Sequence, residues 1–425
     1  MRDLKKSANR LTIKLLDFLL NLLNMKITGL ETTIVAVPFK KPHPESFKVS
    51  TGPLIATIIQ VHSDEGITGL GEAYGGELTK FIIERAEPLI VDEDPFDVQR
   101  IQKRLYAEYD LFHVHPHKAS WALDAITMAI WDLMGKALGK PLYKLWGGAF
   151  RKRIPFWGWV HRAPLDRMAD EAKDLVKEGY KTLYIKVGID PKQDVEAVRV
   201  MRETVGDEVE IRVDANQAWS PGTAVRIIKR MEAYDLEMVE QPVSMYDLDG
   251  MAEVRRRVST PILSHESSWT LPDVMNVIRR NAADVIQLDP RWGGGFIGVR
   301  KSAAVAEAAG LPVVMHSYSE LGVATAAFMQ VIASCPNFIY ANQTMYLNLV
   351  GDVIKGGRLR FEDGCLTLPE GSGIGVELDY REVERYSELY VEEFKDKKPK
   401  KVMDDPKAYI GLKPRPDWVP FFPTF

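Results

Sequence analysis

The sequence predicts an α/β protein in which a closed parallel barrel of β/α units follows a smaller α+β domain. Three observations carry this reading. At 425 residues the chain exceeds what one hydrophobic core usually serves, so a large domain with a second unit is expected. From Arg153 onward, short apolar runs alternate with helical stretches, the rhythm of repeated β/α units. No G-x-G-x-x-G motif opens the first of those helices, which favours a closed barrel over an open doubly wound sheet.

The elements follow in order. Residues 1–24 read as an N-terminal extension. Within it, LLDFLLNLL at 15–23 follows a basic start, but Asp17 and Asn21 interrupt it, and it falls far short of the roughly 20 apolar residues that span a bilayer. A short amphipathic helix, or a mis-chosen upstream start codon, is expected there, and no membrane contact. Residues 25–150 read as the α+β domain, with β-rich runs at 26–37 and 54–63 joined by a polar, proline-bearing stretch at 39–50. Ala122, Ile126, Ala129, Ile130, Leu133 and Met134 fall at helical spacings, and Leu138-Gly139-Lys140-Pro141 stops that helix. Residues 151–366 read as the barrel, with strands near 154–160, 182–187, 210–213, 238–239, 262–264, 285–288, 313–315 and 338–340. Residues 367–425 form a polar tail expected to pack on the first domain, its proline-rich end at 413–425 as extended chain.

Composition narrows the function classes. A net charge of −4 offers no broad basic surface for phosphates, so nucleic acid is not an expected partner. Cys335 and Cys365 have no CxxC spacing and suggest neither a disulfide framework nor a zinc site, which fits a reducing cytoplasm. His113, His115 and His117 have zinc-like spacing but no Cys or carboxylate nearby, and read better as a strand or loop of alternating exposure.

In a barrel of this kind the chemistry lies at the C-terminal ends of the strands. Asp214 ends IRVD, Glu240 ends MVE, and Glu266 follows ILSH, each 26 residues after the last. One β/α unit per step puts these acids on consecutive strands around one site. A single acid there often caps the next helix. Three in register repel one another unless a cation lies between them, and a hard divalent ion such as magnesium suits carboxylate oxygens. Lys186, in LYIKVG, ends the second strand and is a candidate general base. His316 ends VVMH and Asp289 ends IQLD one unit earlier, a plausible pair in which the carboxylate fixes the imidazole tautomer. Trp157 and Trp159 end the first strand, followed by His161 and Arg162.

These stretches resemble the mandelate racemase subgroup of the enolase superfamily, through MAIWDLMGKALGKPLYKLWGG, YIKVG, VDANQAW, VEQPV, HESSW, QLDPRWGGG and VVMHS. The resemblance implies a modified, TIM-like (β/α)8 barrel beneath an α+β capping domain. It matches Asp214, Glu240 and Glu266 to magnesium ligands, Lys186 to the base of the second strand, and Asp289 with His316 to the family's His-Asp pair. The muconate-cycloisomerase-like subgroup carries a second lysine where this chain has Asp289, which points to the racemase-like subgroup. Three departures stand out: Tyr184 replaces the first lysine of a KxK pair, Asn342 replaces a glutamate after the eighth strand, and His265 precedes Glu266 where glycine is common. Tyr184 is kept with the catalytic set. His265, Asn216, His161, Arg162, Arg291, Glu320, Asn342 and His43 are candidates to face substrate, with His161 or Arg162 taking the carboxylate that Tyr184 does not, and His265 able to touch metal instead. Residues 39–50 resemble the loop that closes over substrate in this family. The implied activity is magnesium-dependent dehydration of a sugar acid; racemisation, epimerisation or cycloisomerisation of a related acid is the alternative, and a non-catalytic sugar-acid-binding barrel the rival from another class. A small-molecule carboxylate and a second copy of the chain are the expected partners.

Overall fold

The computed structural model describes residues 24–44, 49–50, 52–111 and 118–397. The helix expected at 15–23, the His113, His115 and His117 run, the side chain of His43 and the proline-rich end at 413–425 lie outside the described residues.

The first unit is a three-stranded antiparallel meander, β1 (Ile27–Val37), β2 (Leu54–Ser63) and β3 (Thr68–Tyr74), hydrogen-bonded in that order. Helices α1 (Glu77–Ala86), α2 (Val98–Glu108) and α3 (Lys118–Ala137) follow, and α3 crosses β3 at close range. That approach depends on glycine, since a Cβ at Gly69 would stand 2.0 Å from the Ala129 carbonyl oxygen and one at Gly71 2.3 Å from that of Ala125. The predicted stop of α3 is seen at Gly139, whose φ of +61° is the left-handed turn that ends helices.

The barrel is a seven-stranded parallel sheet in sequential order: β4 (Gly158–Val160), β5 (Thr182–Lys186), β6 (Glu210–Asp214), β7 (Met238–Glu240), β8 (Ile262–Ser264), β9 (Val285–Leu288) and β10 (Val313–Met315). Seven helices alternate with or follow these strands: α4 (Leu165–Lys177), α5 (Pro191–Val205), α6 (Pro221–Met231), α7 (Leu248–Arg257), α8 (Leu271–Arg280), α9 (Gly295–Ala308) and α10 (Gly322–Ser334). Strand interiors such as Ile211, Val213, Leu263 and Val313 are fully buried, as expected of strands covered on both faces.

Two expected strands need correction. The first, at 154–160, is broken: Arg153–Pro155 pairs antiparallel with Cys365–Thr367, and only Gly158–Val160 joins the barrel. The eighth, at 338–340, is not a strand. The seam is closed a few residues later, where Gln343 N donates to Met315 O (3.0 Å), Asn342 N to Pro155 O (2.9 Å) and Trp157 N to Asn342 O (3.1 Å). The ring is thus completed by irregular chain in the eighth position. A last helix, α11 (Tyr380–Glu393), lies against β1, with Tyr390 buried beside Ile34 and Ala36.

Candidate active site

Pairing register brings the site together. Lys186 is paired with Asp214 and Asp214 with Glu240 across β5, β6 and β7, so the lysine and two acids form one row at the C-terminal edge of the sheet. Glu240 is level with Leu263 on β8, and Glu266 stands just past that strand in a single 3-10 turn. Farther round the mouth, Leu288 is level with Met315, which places Asp289 and His316 side by side. All of these side chains are buried.

The loops that leave the acid-bearing strands are unusual. Asn216 (φ 44°), Gln217 (φ 67°) and Gln241 (φ 32°) are left-handed without being glycine, a backbone state that needs its surroundings to hold it and that clusters at working sites. Gln241 shows how it is held. Its amide donates to Val243 O (3.0 Å) and Ser267 Oγ (2.8 Å) and accepts from His265 N (3.0 Å), lacing the end of β7 to the turn that carries Glu266.

At one flank, Lys186 Nζ donates to Asp214 Oδ2 (2.5 Å) and Asn216 Oδ1 (2.7 Å), and Tyr184 OH donates to the same Asp214 oxygen (2.6 Å). Tyr184 stacks on Trp157 at 4.4 Å, and Lys186 lies 5.5 Å above the ring of Trp159, so aromatic rings wall the ammonium in. Burial and the neighbouring carboxylates push the Tyr184 phenol well above its usual range, leaving a neutral donor.

In the centre, His265 Nδ1 lies 3.0 Å from Glu240 Oε1 and 3.3 Å from Glu266 Oε2. Burial works against its charge, but Glu266 and Glu240 outweigh burial and raise it to about 10. Burial and Asp214 push Glu240 up to about 7, whereas the His265 charge overcomes burial and holds Glu266 down to about 2. Asn216 Nδ2 and Gln217 Nε2 approach Glu266 Oε1 at 3.4 and 3.3 Å. Among the described residues, no three His, Cys, Asp or Glu side chains gather closely enough to cage a metal ion as they stand. The donor chemistry does suit a hard cation: three buried carboxylates stand at successive strand ends.

At the other flank, Asp289 Oδ2 is 2.7 Å from His316 Nδ1, and Arg291 grips the same carboxylate through Nε (2.9 Å) and Nη2 (2.8 Å). Burial resists its charge, yet Arg291 and His316 bring Asp289 well below the usual carboxylate range. An ionised Asp289 accepts from Nδ1–H, which leaves the Nε2 lone pair of His316 for chemistry. Burial and the His265 charge push His316 down to about 3, so the imidazole is neutral. Glu320 accepts from Ser317 Oγ and faces Arg291 Nη1 at 3.6 Å; burial raises it to about 7. His265 and His316 rings are 4.0 Å apart and connect the centre to this flank.

Three expected substrate contacts are otherwise engaged. Asn342 accepts from Met315 N (2.8 Å) and donates to Pro155 O (3.3 Å) and Tyr340 O (3.4 Å), so its amide fastens the barrel seam. Arg162 is buried against Asp194 (3.3 Å), behind the first strand end. His161 gives its backbone N–H (3.0 Å) and ring Nδ1 (2.8 Å) to Glu171 of α4, which also binds Lys41 from the 39–50 stretch. Neither His161 nor Arg162 therefore presents an uncommitted cation for the substrate carboxylate. Glu171, Gln217 and Gln241 were missed from sequence; Gln217 and Gln241 each follow closely behind a strand-end acid, and that adjacency was the available signal.

The fold is a modified barrel in which a lysine and a His-Asp pair flank buried carboxylates at the strand ends. Residues 29–147 match the N-terminal domain of the mandelate racemase / muconate lactonizing enzyme family, and residues 167–383 match the enolase C-terminal domain-like family. The chain belongs to the mandelate racemase / muconate lactonizing enzyme family of the enolase superfamily. Its relatives differ in reaction. It is 28% identical to N-succinyl-L-Arg/Lys racemase of Bacillus cereus (84% of this chain, 96% of the relative). It is 30% identical to muconate cycloisomerase 1 of Rhodococcus opacus (86% and 99%) and 28% identical to arabinonate dehydratase of Saccharolobus solfataricus (76% and 88%). An enolase from Thermobispora bispora, solved with magnesium and formate, superposes with a TM-score of 0.81 at 27% identity, covering 91% of this chain and 96% of that one.

Proposed function

We propose that this protein is a magnesium-dependent dehydratase of an aldonate- or aldarate-type sugar acid, acting by removal of the proton α to the carboxylate. The observation that carries the reading is the placement of two acid/base groups on either side of one row of buried acids: Lys186 beside Asp214 at one flank, and His316 oriented by Asp289 at the other. Asp214, Glu240 and Glu266 would hold the ion. Magnesium, when bound, supplies Lewis-acid stabilisation of charge developing on the substrate carboxylate.

The chain's own residues do the rest. With His316 neutral, His316 takes the α proton at Nε2 and Lys186 delivers a proton to the departing β-hydroxyl; a substrate of the opposite stereochemistry reverses the roles and requires His316 to enter protonated and Lys186 neutral. Neutral His316 can accept at Nε2, and Arg291 with Asp289 keeps its ring aimed. Tyr184 supplies a hydrogen bond to Asp214 where a second lysine would have brought charge. The arabinonate dehydratase relative supports the dehydratase reading.

A second reading has equal support among the relatives: a racemase or epimerase would use the same two groups on opposite faces of one carbon, and cycloisomerisation shares the first step. A screen of mono- and diacid sugars with purified protein and magnesium, read for 2-keto products with a carbonyl reagent, decides. A keto product supports dehydration. Deuterium entering the α position from D₂O without keto product supports racemisation or epimerisation. Absence of both across the library favours a sugar-acid-binding barrel.

A further inference from the structure

Beneath the row formed by Lys186 and Asp214, the barrel interior holds a column of side chains that ends on Asp214. Tyr184 and Arg212 lie level with one another across β5 and β6, each two residues before Lys186 or Asp214 on its strand. The indole of Trp157 meets both. It stacks on the Tyr184 ring at 4.4 Å, nearly parallel at 5°, and the Arg212 guanidinium lies over it at 4.6 Å. Arg212 is fixed in turn: Nε and Nη2 donate to Glu237 Oε2 (2.9 and 2.7 Å), and Nη1 donates to Ala341 O (3.2 Å). Trp157 N donates to Asn342 O (3.1 Å), so the column stands on the irregular seam that completes the ring. Trp157, Tyr184 and Arg212 are all fully buried.

A buried guanidinium is tolerated where its donors are taken up, and Arg212 has a carboxylate, a carbonyl and an aromatic face for them. That gives the indole a rigid base. Trp159 also packs on the Tyr184 ring, at 4.8 Å and 54°. A phenol packed by two indoles in a filled interior has one place for its hydroxyl, and that place is 2.6 Å from Asp214 Oδ2. The Asp214 carboxylate is then gripped by three donors: Tyr184 OH and Lys186 Nζ (2.5 Å) on Oδ2, and Asn216 N (2.6 Å) on Oδ1. Donors behind a ligand carboxylate set the orientation in which it meets an ion, and removing one lowers metal affinity.

On the reading of Asp214 as a ligand of the catalytic ion, we infer that Trp157 and Arg212 are positioning residues: their column holds the Tyr184 hydroxyl on Asp214 and so fixes the carboxylate that meets both the ion and Lys186. They touch neither substrate nor ion, and they act through that one hydroxyl.

The test uses the full chain and three readouts: affinity for magnesium alone by calorimetry, α-deuterium exchange on the sugar acids, and melting temperature. Tyr184→Phe, which keeps the stack and loses the hydroxyl, should weaken magnesium binding about tenfold or more. Trp157→Leu should weaken it as much, and the Trp157→Leu/Tyr184→Phe double variant should bind no more weakly than Tyr184→Phe alone, because the two changes remove one interaction. Trp157→Phe keeps a flat ring and should stay within about threefold of wild type. If Trp157→Leu does not fold, Arg212→Lys, which keeps a charge opposite Glu237, carries the comparison: its loss of affinity should vanish in the Tyr184→Phe background. Losses that multiply in the double variants, or a folded Trp157→Leu with wild-type affinity, overturn the inference. The expected magnesium pattern with no exchange on any acid would keep the column and sink the proton-abstraction reading instead. Exchange in the wild type together with multiplying losses would do the reverse.

Discussion

Asp289 shows how much one side chain can decide. It touches no substrate in the scheme above, yet its carboxylate accepts from His316 Nδ1 and from Nε and Nη2 of Arg291. Asp289→Asn removes the charge that selects the Nδ1–H tautomer and leaves Arg291 unbalanced. The expected result is a fall in the exchange rate constant on the order of 10²-fold or more, within the usual worth of general acid/base catalysis, with a smaller change in KM. Rates measured alongside the melting temperature separate this from unfolding; a rate within a factor of a few of wild type would remove Asp289 from the mechanism. At this scale the placement of the acids, the lysine and the His-Asp pair at the strand ends was legible, because all but Glu266, which stands two residues past its strand, terminate an apolar run. Asn342 and Arg162 were misplaced for a physical reason. Sequence shows a polar residue at a strand end, but not the carbonyls of Pro155 and Tyr340 or the buried Asp194 that occupy it.

Elements are joined across the two units by buried carboxylates. Glu72 of β3 accepts backbone N–H groups of Leu321 (2.6 Å) and Ala324 (2.9 Å) at the start of α10, binding the meander to the barrel. Burial pushes Glu72 up to about 8, the two amides opposing it. Its folded value lies above the unfolded one, so the native state holds a proton that the unfolded chain releases. Its contribution is therefore complete below the unfolded carboxylate range and is lost as pH rises toward 8. Glu72→Gln keeps an acceptor without the titration. The stability of wild type relative to this variant, from denaturant melts, should fall steadily between about pH 5 and pH 8; a pH-independent difference would contradict the assignment. Element order and the β/α rhythm were readable, since apolar runs buried on both faces are hard to hide. The seam was not: 338–340 has strand composition, while the ring is closed by backbone bonds at Asn342 and Gln343 that no local pattern announces.

At the scale of the molecule, no helix among the described residues is long and apolar enough to cross a membrane. The meander and its helices lean over one rim of the barrel, supplying Trp121 and Tyr74 against Trp292 and Tyr318 and, through Lys41 and Glu171, a tie to the first strand end near Lys186. The central claim is that Lys186 and His316 exchange the α proton of a carboxylate substrate with solvent. The most direct measurement is incorporation of deuterium at the α carbon, by NMR in D₂O with magnesium, for wild type, Lys186→Ala and His316→Asn on the acid that binds best. The account predicts exchange in the wild type, its loss by at least 10²-fold in the variant lacking the proton-abstracting group, and its disappearance when magnesium is chelated. Exchange that survives in both variants, or proceeds equally with the metal removed, would contradict it.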